Sequence, residues 1–359
     1  MNSSVTRIVF IVCLVLIVAC SRDSSRQDAA PVSSTELEKT VVAATLEQAI
    51  VPGKNVVFCA AFPLAWEELC ASVVGGPVVL KNAVPLATAL NQRTITTAIL
   101  PASAYFAAAG TSNSGIVDTI NTALAGRFGG AFPPVAYTFE RPADVLVYAC
   151  MQKNVPFATP FEPLEKPIAF NRDETMKVRS FGVAKVQNPE QRAAMLKRVT
   201  VFVDSVETGV GIVQIETANP DDEMIFAMFT PKSTLLETIE AVDELMTSAR
   251  DAGGVRVCTG EFDIPEMDIN ITHRFQELVG AEFNAKVGPP LVIAAADESI
   301  RFRLDNTGAR LESTAAVVAY ASISNLHFRK PFLFMLRTKG QKLPYFAVWV
   351  ENSEVLVPG

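Results

Sequence analysis

The chain holds two histidines, His273 and His327, and they are the obvious candidates for acid–base chemistry. A Ser-His-Asp hydrolase needs an imidazole beside a nucleophile and an acid that orients it. No serine lies in a GxSxG context, and neither GxxxxGK[ST] nor HExxH occurs. Both histidines fall in segments that read as structural. The six cysteines reduce quickly. Cys13 belongs to an N-terminal apolar run, and Cys20 follows it directly. Cys59, Cys70, Cys150 and Cys258 each sit among apolar neighbours. A Cys59/Cys70 bridge is conceivable in an exported protein, and the plainer reading is buried free thiols that pack as small hydrophobes. No CxxC spacing points to zinc. The chain is poor in groups that perform chemistry, and the expectation is a protein that is not an enzyme and takes no cofactor or metal.

One residue does invite covalent chemistry. "MNSSVTRIVFIVCLVLIVAC" carries a single cation, Arg7, and then the apolar run Ile8–Ala19. The run is short for a bilayer span and fits a signal-peptide core; the alternative is an uncleaved anchor. Its end, Ile17-Val18-Ala19-Cys20, resembles a bacterial lipobox, in which the cysteine is lipidated and becomes the new N-terminus. Residues 1–19 are then a signal peptide, and 20–34 a polar, flexible tether. Residues 35–359 form a single domain. Ser21 follows the cysteine, which among Gram-negative lipoproteins favours the outer membrane. The expected location is the cell envelope, with the membrane reached through the lipid. A mature chain starting at Cys20 has 30 basic against 38 acidic residues. That balance excludes a nucleic-acid-binding surface.

The positioning elements follow from periodicity. "ELEKTVVAATLEQAI" has apolar residues at helical spacing before Pro52-Gly53. "NVVFCAAF" reads as a short strand and "PLAWEELCASVV" as a buried helix. "SGIVDTINTALAGRF" places Ile116, Ile120 and Leu124 on one helical face. "ADVLVYACMQK" suits a central strand buried on both sides. "VGIVQIE" and "EMIFAMFTP" flank a turn. "STLLETIEAVDELM" opens with a capping-box pattern, Thr234 with Glu237. "THRFQELVGAEF" reads as a short helix. "ESIRFRLDN" alternates, with Ile300, Phe302 and Leu304 facing one way and Arg301, Arg303 and Asp305 the other. "PFLFMLRTKGQKLPYFAVWVEN" reads as a hairpin. The whole is one intertwined α+β domain of large sheets.

The order of these pieces resembles the serpin family. "FRKPFLFMLR" and "PYFAVWVEN" are similar to its closing strands. "LVYACMQKNVPFATPFEP" resembles its central strand and the loop after it, and "FNRDETMKV" the segment that follows. "INTALAGRFGGAFPP" and "FDIPEMDINITHRFQELVGAEF" are similar to further family segments in register. Tyr148 stands where the family has an Asn, Cys59, Ala60 and Phe62 stand in its serine-rich region, and Ala347 replaces a Gly. The stretch between Val73 and Ile116 is too short for all the family's helices. The resemblance implies a trimmed serpin-like α+β fold with a large mixed sheet.

It also implies a reactive-centre loop in "GARLESTAAVVAYASISNLHFRKPFLF". Gly308 matches the family's hinge glycine, followed by Ala309, Arg310 and Leu311; Arg310 and Leu311 depart from the family's small and acidic preference. A count from Gly308 puts the scissile bond after Ser322, and a count back from Phe328 puts it after Tyr320. The candidate bait residues are therefore Tyr320, Ala321 and Ser322. Tyr320 suits a chymotrypsin-like protease, and Ala321 or Ser322 an elastase-like one. Alternation places Ala309, Leu311, Ser313, Ala315, Val317 and Ala319 on one face, apolar except for a single Ser. The implied function is a membrane-tethered, monomeric inhibitor of a serine protease, acting by loop cleavage and insertion into the main sheet. The alternative is a non-inhibitory serpin-fold binding lipoprotein.

Overall fold

The computed structural model describes residues 30–171, 173–183, 186, 188–205, 207–285, 288–308 and 325–359. Cys20, Ala309, Arg310, Leu311, Tyr320, Ala321 and Ser322 lie outside the described residues. Pro31–Gly359 packs as one unit.

Three sheets and a hairpin, with strands numbered along the chain, make up its β structure. The main sheet has the order β1 (Val32–Ser33), β15 (Met267–Arg274), β17 (Leu291–Leu304), β5 (Asp144–Gln152), β4 (Tyr105–Thr111), with β16 (Glu282–Phe283) also paired to β17. The second sheet runs β13 (Arg256–Val257), β10 (Val199–Ser205), β11 (Val210–Glu216), β12 (Asp222–Met228), β19 (Phe332–Thr338), β20 (Phe346–Val350), β3 (Asn55–Cys59), β2 (Thr40–Ala43). The third is β18 (Leu326–His327), β14 (Phe262–Pro265), β9 (Ser180–Gly182), β6 (Glu162–Pro163). A hairpin pairs β7 (Ile168–Phe170) with β8 (Asp173–Val178).

Five α-helices occur among the described residues: α1 (Ala61–Glu68), α2 (Pro85–Leu90), α3 (Ile116–Phe128), α4 (Pro189–Leu196) and α5 (Leu235–Asp251). None is long and apolar enough to cross a membrane. The fold is the expected α+β class, with a large mixed sheet and few helices.

Two cores cover the main sheet. On one face α3 lays Ile116, Ile120, Leu124 and Phe128 over Phe106, Leu146, Tyr148 and Cys150. On the other, α1 and the second sheet enclose Val147, Ala149, Met151, Ile300 and Phe302. Covering both faces is what makes β5 a nearly continuous apolar run; every residue but Gln152 is buried. Each fully buried large apolar side chain contributes about 1.5–3 kcal/mol. The alternation read along β17 holds: Ile300, Phe302 and Leu304 are buried, and Arg303 is exposed.

Two local expectations are corrected. The helical spacing of 36–50 does not produce a helix, because Thr40–Ala43 pairs in parallel with β3. Their backbone ladder and β-branched side chains outweigh a weak local periodicity. "THRFQELVGAEF" likewise forms no α-helix. Thr272–Arg274 completes β15 against β17, and only Gln276–Leu278 forms a single 3₁₀ turn. Pairing also begins inside the segment read as a tether: Val32 and Ser33 join β15 in parallel.

Candidate functional site

The central feature of the main sheet is a parallel seam. β17 runs alongside β5 from Val292↔Asp144 to Arg301↔Gln152, with one irregularity between Ile293 and Ala295. The neighbours outside the seam, β15 against β17 and β4 against β5, are antiparallel. β5 and β17 are direct hydrogen-bonded partners, so no strand lies between them.

At the upper end of the seam β17 gives way to a tight turn. Asp305 Oδ1 accepts from Thr307 N at 2.9 Å and from Thr307 Oγ1 at 2.6 Å. Gly308 N donates to Asp305 O at 3.0 Å. The turn is tied to the segment that leaves β5. Phe161 N donates to Asn306 O at 2.8 Å, Phe157 N to Thr307 O at 3.3 Å, and Gly308 bridges Pro156. Gly308 has φ +66°, and a Cβ there would lie 2.2 Å from Phe157 N. Both the left-handed backbone and the close approach require glycine. The 156–161 segment is in turn bound to the second sheet, with Ala218 N donating to Pro156 O and Ala158 N to Glu216 O. Nearby, the buried Lys153 ammonium sits 2.7 Å from Asp222, whose carboxylate also accepts from Tyr345 Oη at 2.9 Å.

Beneath the middle of the seam lies Glu298, fully buried on β17, opposite Ala149 on β5 and His273 on β15. Its Oε1 accepts from Phe62 N, in the first turn of α1, at 3.2 Å. Its Oε2 has no hydrogen-bond partner. Burial pushes the carboxyl up to about 8, and hydrogen bonds from the Cys59 thiol and Phe62 N offset only part of that. Cys59 Sγ also lies 3.7 Å from Met151 Sδ of β5. The first turn of α1, the end of β3, β5 and β17 thus meet at one point. On the opposite face Tyr148 hydrogen-bonds Ser299, and burial raises the phenol.

Further along the chain, β18 pairs in parallel with β14. Asp263, fully buried on β14, accepts from His327 Nδ1 at 2.5 Å and from Arg329 Nη2 and Nε at 2.5 and 3.0 Å. Burial alone would raise this carboxyl. The hydrogen bonds from His327 and Arg329 outweigh it and hold the group below its usual range.

Of the residues singled out in the sequence, Gly308 stands at the exit of β17. His273 and His327 are on different sheets: the ring of His273 is within 2.6 Å of Ser34 Oγ and packs edge-on to Phe275. Cys59, Cys70, Cys150 and Cys258 are buried free thiols. Burial drives Cys59 well up, Cys150 to about 12 and Cys258 to about 11, so they carry no thiolate at neutral pH.

Glu298 and Asp263 escaped the sequence reading. A signal existed for Glu298: extending the Ile300–Phe302–Leu304 alternation back by two residues puts a carboxyl on the buried face. For Asp263 no comparable signal exists, because its partners are 64 and 66 residues away.

No family model matches the sequence, and no curated protein matches it. The structure is nevertheless similar to solved structures. The mouse protein-Z dependent protease inhibitor superposes with TM-score 0.52 at 13% identity, over 83% of this chain and 91% of that one. Thyroxine-binding globulin in complex with thyroxine superposes with TM-score 0.52 at 12% identity, over 83% and 93%. Both are serpins, and the fold of this chain is a divergent serpin fold.

Proposed function

We propose that this serpin-fold chain inhibits a serine protease by surrendering its loop, residues 309–324, to cleavage and then inserting the freed end between β5 and β17. The observation that carries the reading is the direction of the seam. A segment that turns back at Gly308 runs antiparallel to β17, and so also antiparallel to β5. Insertion then replaces one parallel ladder by two antiparallel ones, the better pairing per residue. The inward face read from the sequence, Ala309, Leu311, Ser313, Ala315, Val317 and Ala319, is mostly small enough to enter a packed sheet. At ~3.3 Å per residue, about 12 inserted residues would carry a bound protease roughly 40 Å. The drive is a native state held kinetically above a more stable arrangement. Cutting the chain between Ala319 and Ile323 is expected to raise the melting temperature sharply, and a chymotrypsin- or elastase-like protease is expected to form a complex that survives boiling detergent. An unchanged melting temperature would dismiss the inhibitor reading.

A second reading, a serpin-fold lipoprotein that binds a small molecule without trapping a protease, draws support from a groove of about 570 Å³. Phe229, Trp349 and Pro331 line it together with Lys232 and Lys330. Two lysines against one lining carboxylate, Glu351, give a positive balance that suits an apolar body with an anionic group. For either reading we propose export and a lipid on Cys20. Cys20→Ala is expected to move the protein from the membrane to the soluble fraction, and an unchanged distribution would count against the lipid.

A further inference from the structure

Charged side chains are almost never buried without a partner, because an ionised carboxylate loses far more hydration than one hydrogen bond returns. Glu298 breaks that rule at the seam. It is fully buried, its only hydrogen bonds come from the Phe62 backbone N–H and the neutral Cys59 thiol, and Oε2 has no partner.

The titratable groups on the elements around it supply no compensating charge. From the β3–α1 junction comes the Cys59 thiol, and from β5 the Cys150 thiol, both raised by burial and neutral. From β15 comes His273, whose burial lowers its affinity for a proton. The adjacent Asp297 is bound bidentately to Arg274 at 2.6 and 2.8 Å.

We propose that Glu298 is a proton-dependent clasp on the β5/β17 seam, neutral while the sheet is closed and ionised once the strands part. Its contacts reach the start of α1 and, through Cys59 and Met151, β5 itself, so separating the strands dismantles the pocket that keeps the carboxyl dry. Water then reaches the group and the proton leaves to solvent. The raised affinity for the proton in the closed sheet agrees with this.

The sign follows from linkage. The closed sheet binds the proton more tightly than the open one, so the clasp is fully effective below about pH 4.5, the ordinary carboxyl value, and is lost as pH rises toward about 8. Between these limits opening becomes up to about tenfold more frequent per pH unit. The inference rests on the insertion reading for its purpose, since the seam is where the loop would enter.

Its test needs no protease. Amide hydrogen exchange of the intact chain is followed from pH 5 to 9, with the intrinsic base-catalysed rate divided out. Amides of β5 and β17 are expected to open more often than those of the β12–β19 ladder. That excess is expected to grow with pH up to about 8 in the wild type and to be flat in Glu298→Gln. A flat wild-type profile overturns the clasp. So does exchange of β5 and β17 only through the opening that exposes β12 and β19, and so does an unchanged slope in Glu298→Gln. If Glu298→Gln does not fold, Cys59→Ala serves: it removes a hydrogen bond that lowers the carboxyl, so the rise must extend to higher pH, and an unshifted profile overturns the clasp. Failure here leaves the cleavage test standing, and failure of the cleavage test leaves this one standing.

Discussion

Single residues in this chain show how burial and partners decide a charge. Asp263 and Glu298 are both fully buried carboxyls. Asp263 has an arginine and a histidine donating to it and stays ionised; Glu298 has one amide and a thiol and stays neutral. Arg329→Ala leaves Asp263 with His327 alone. Because Arg329 is about half exposed, solvent screening cuts the expected loss below the ~1.5–3 kcal/mol of a charged hydrogen bond, to about 1 kcal/mol. The Asp263 proton affinity is depressed in the fold. Its stabilisation is therefore present above the unfolded value of 3.8 and disappears as pH falls through the folded one. Urea midpoints of wild type and Arg329→Ala should differ at pH 7, and the gap should shrink as pH falls below 3.8; a gap independent of pH would contradict the pairing.

At the scale of elements, local signals succeed where the element is long and self-contained. α5 has its capping box formed, with Glu237 N donating to Thr234 Oγ1 and Glu237 Oε2 accepting from Thr234 N. Leu235, Ile239, Val242 and Met246 bury one face. Thr234→Ala is expected to cost about 1 kcal/mol, read from the thermal or urea midpoint, with the melting increment on loop cleavage unchanged because α5 packs on β10 of the second sheet; a neutral substitution would mean that the cap does not limit this helix. Local signals fail where an edge strand competes. The 36–50 segment has helical spacing, but Glu354 accepts from the amides of Glu38 and Lys39 and from Thr40 Oγ1. Those contacts span over 300 residues and lay the segment along β3.

For the whole molecule the decisive fact is a sheet whose centre is the parallel β5/β17 pair. On the proposed mechanism a cut loop changes the number of strands available, not the local chemistry of any one of them. The melting increment is therefore expected to be a property of the entire main sheet, and a substitution at the hinge turn should alter its rate more than its size. Gly308 illustrates the point: it is pinned against Pro156 and Phe157, and the proposed insertion requires those contacts to release.

The sequence alone determined the α+β class, the apolar β5, the alternation of β17, and the capping box and buried face of α5. All of these are encoded within one turn or one strand, where side-chain period and backbone freedom speak directly. Only the tertiary structure decided that β5 and β17 lie side by side in parallel, that Asp263 is paired and Glu298 is not, and that residues 40–43 are a strand. Such features join residues far apart in the chain. Their energies depend on which neighbours burial brings together, and no short window of sequence contains that information.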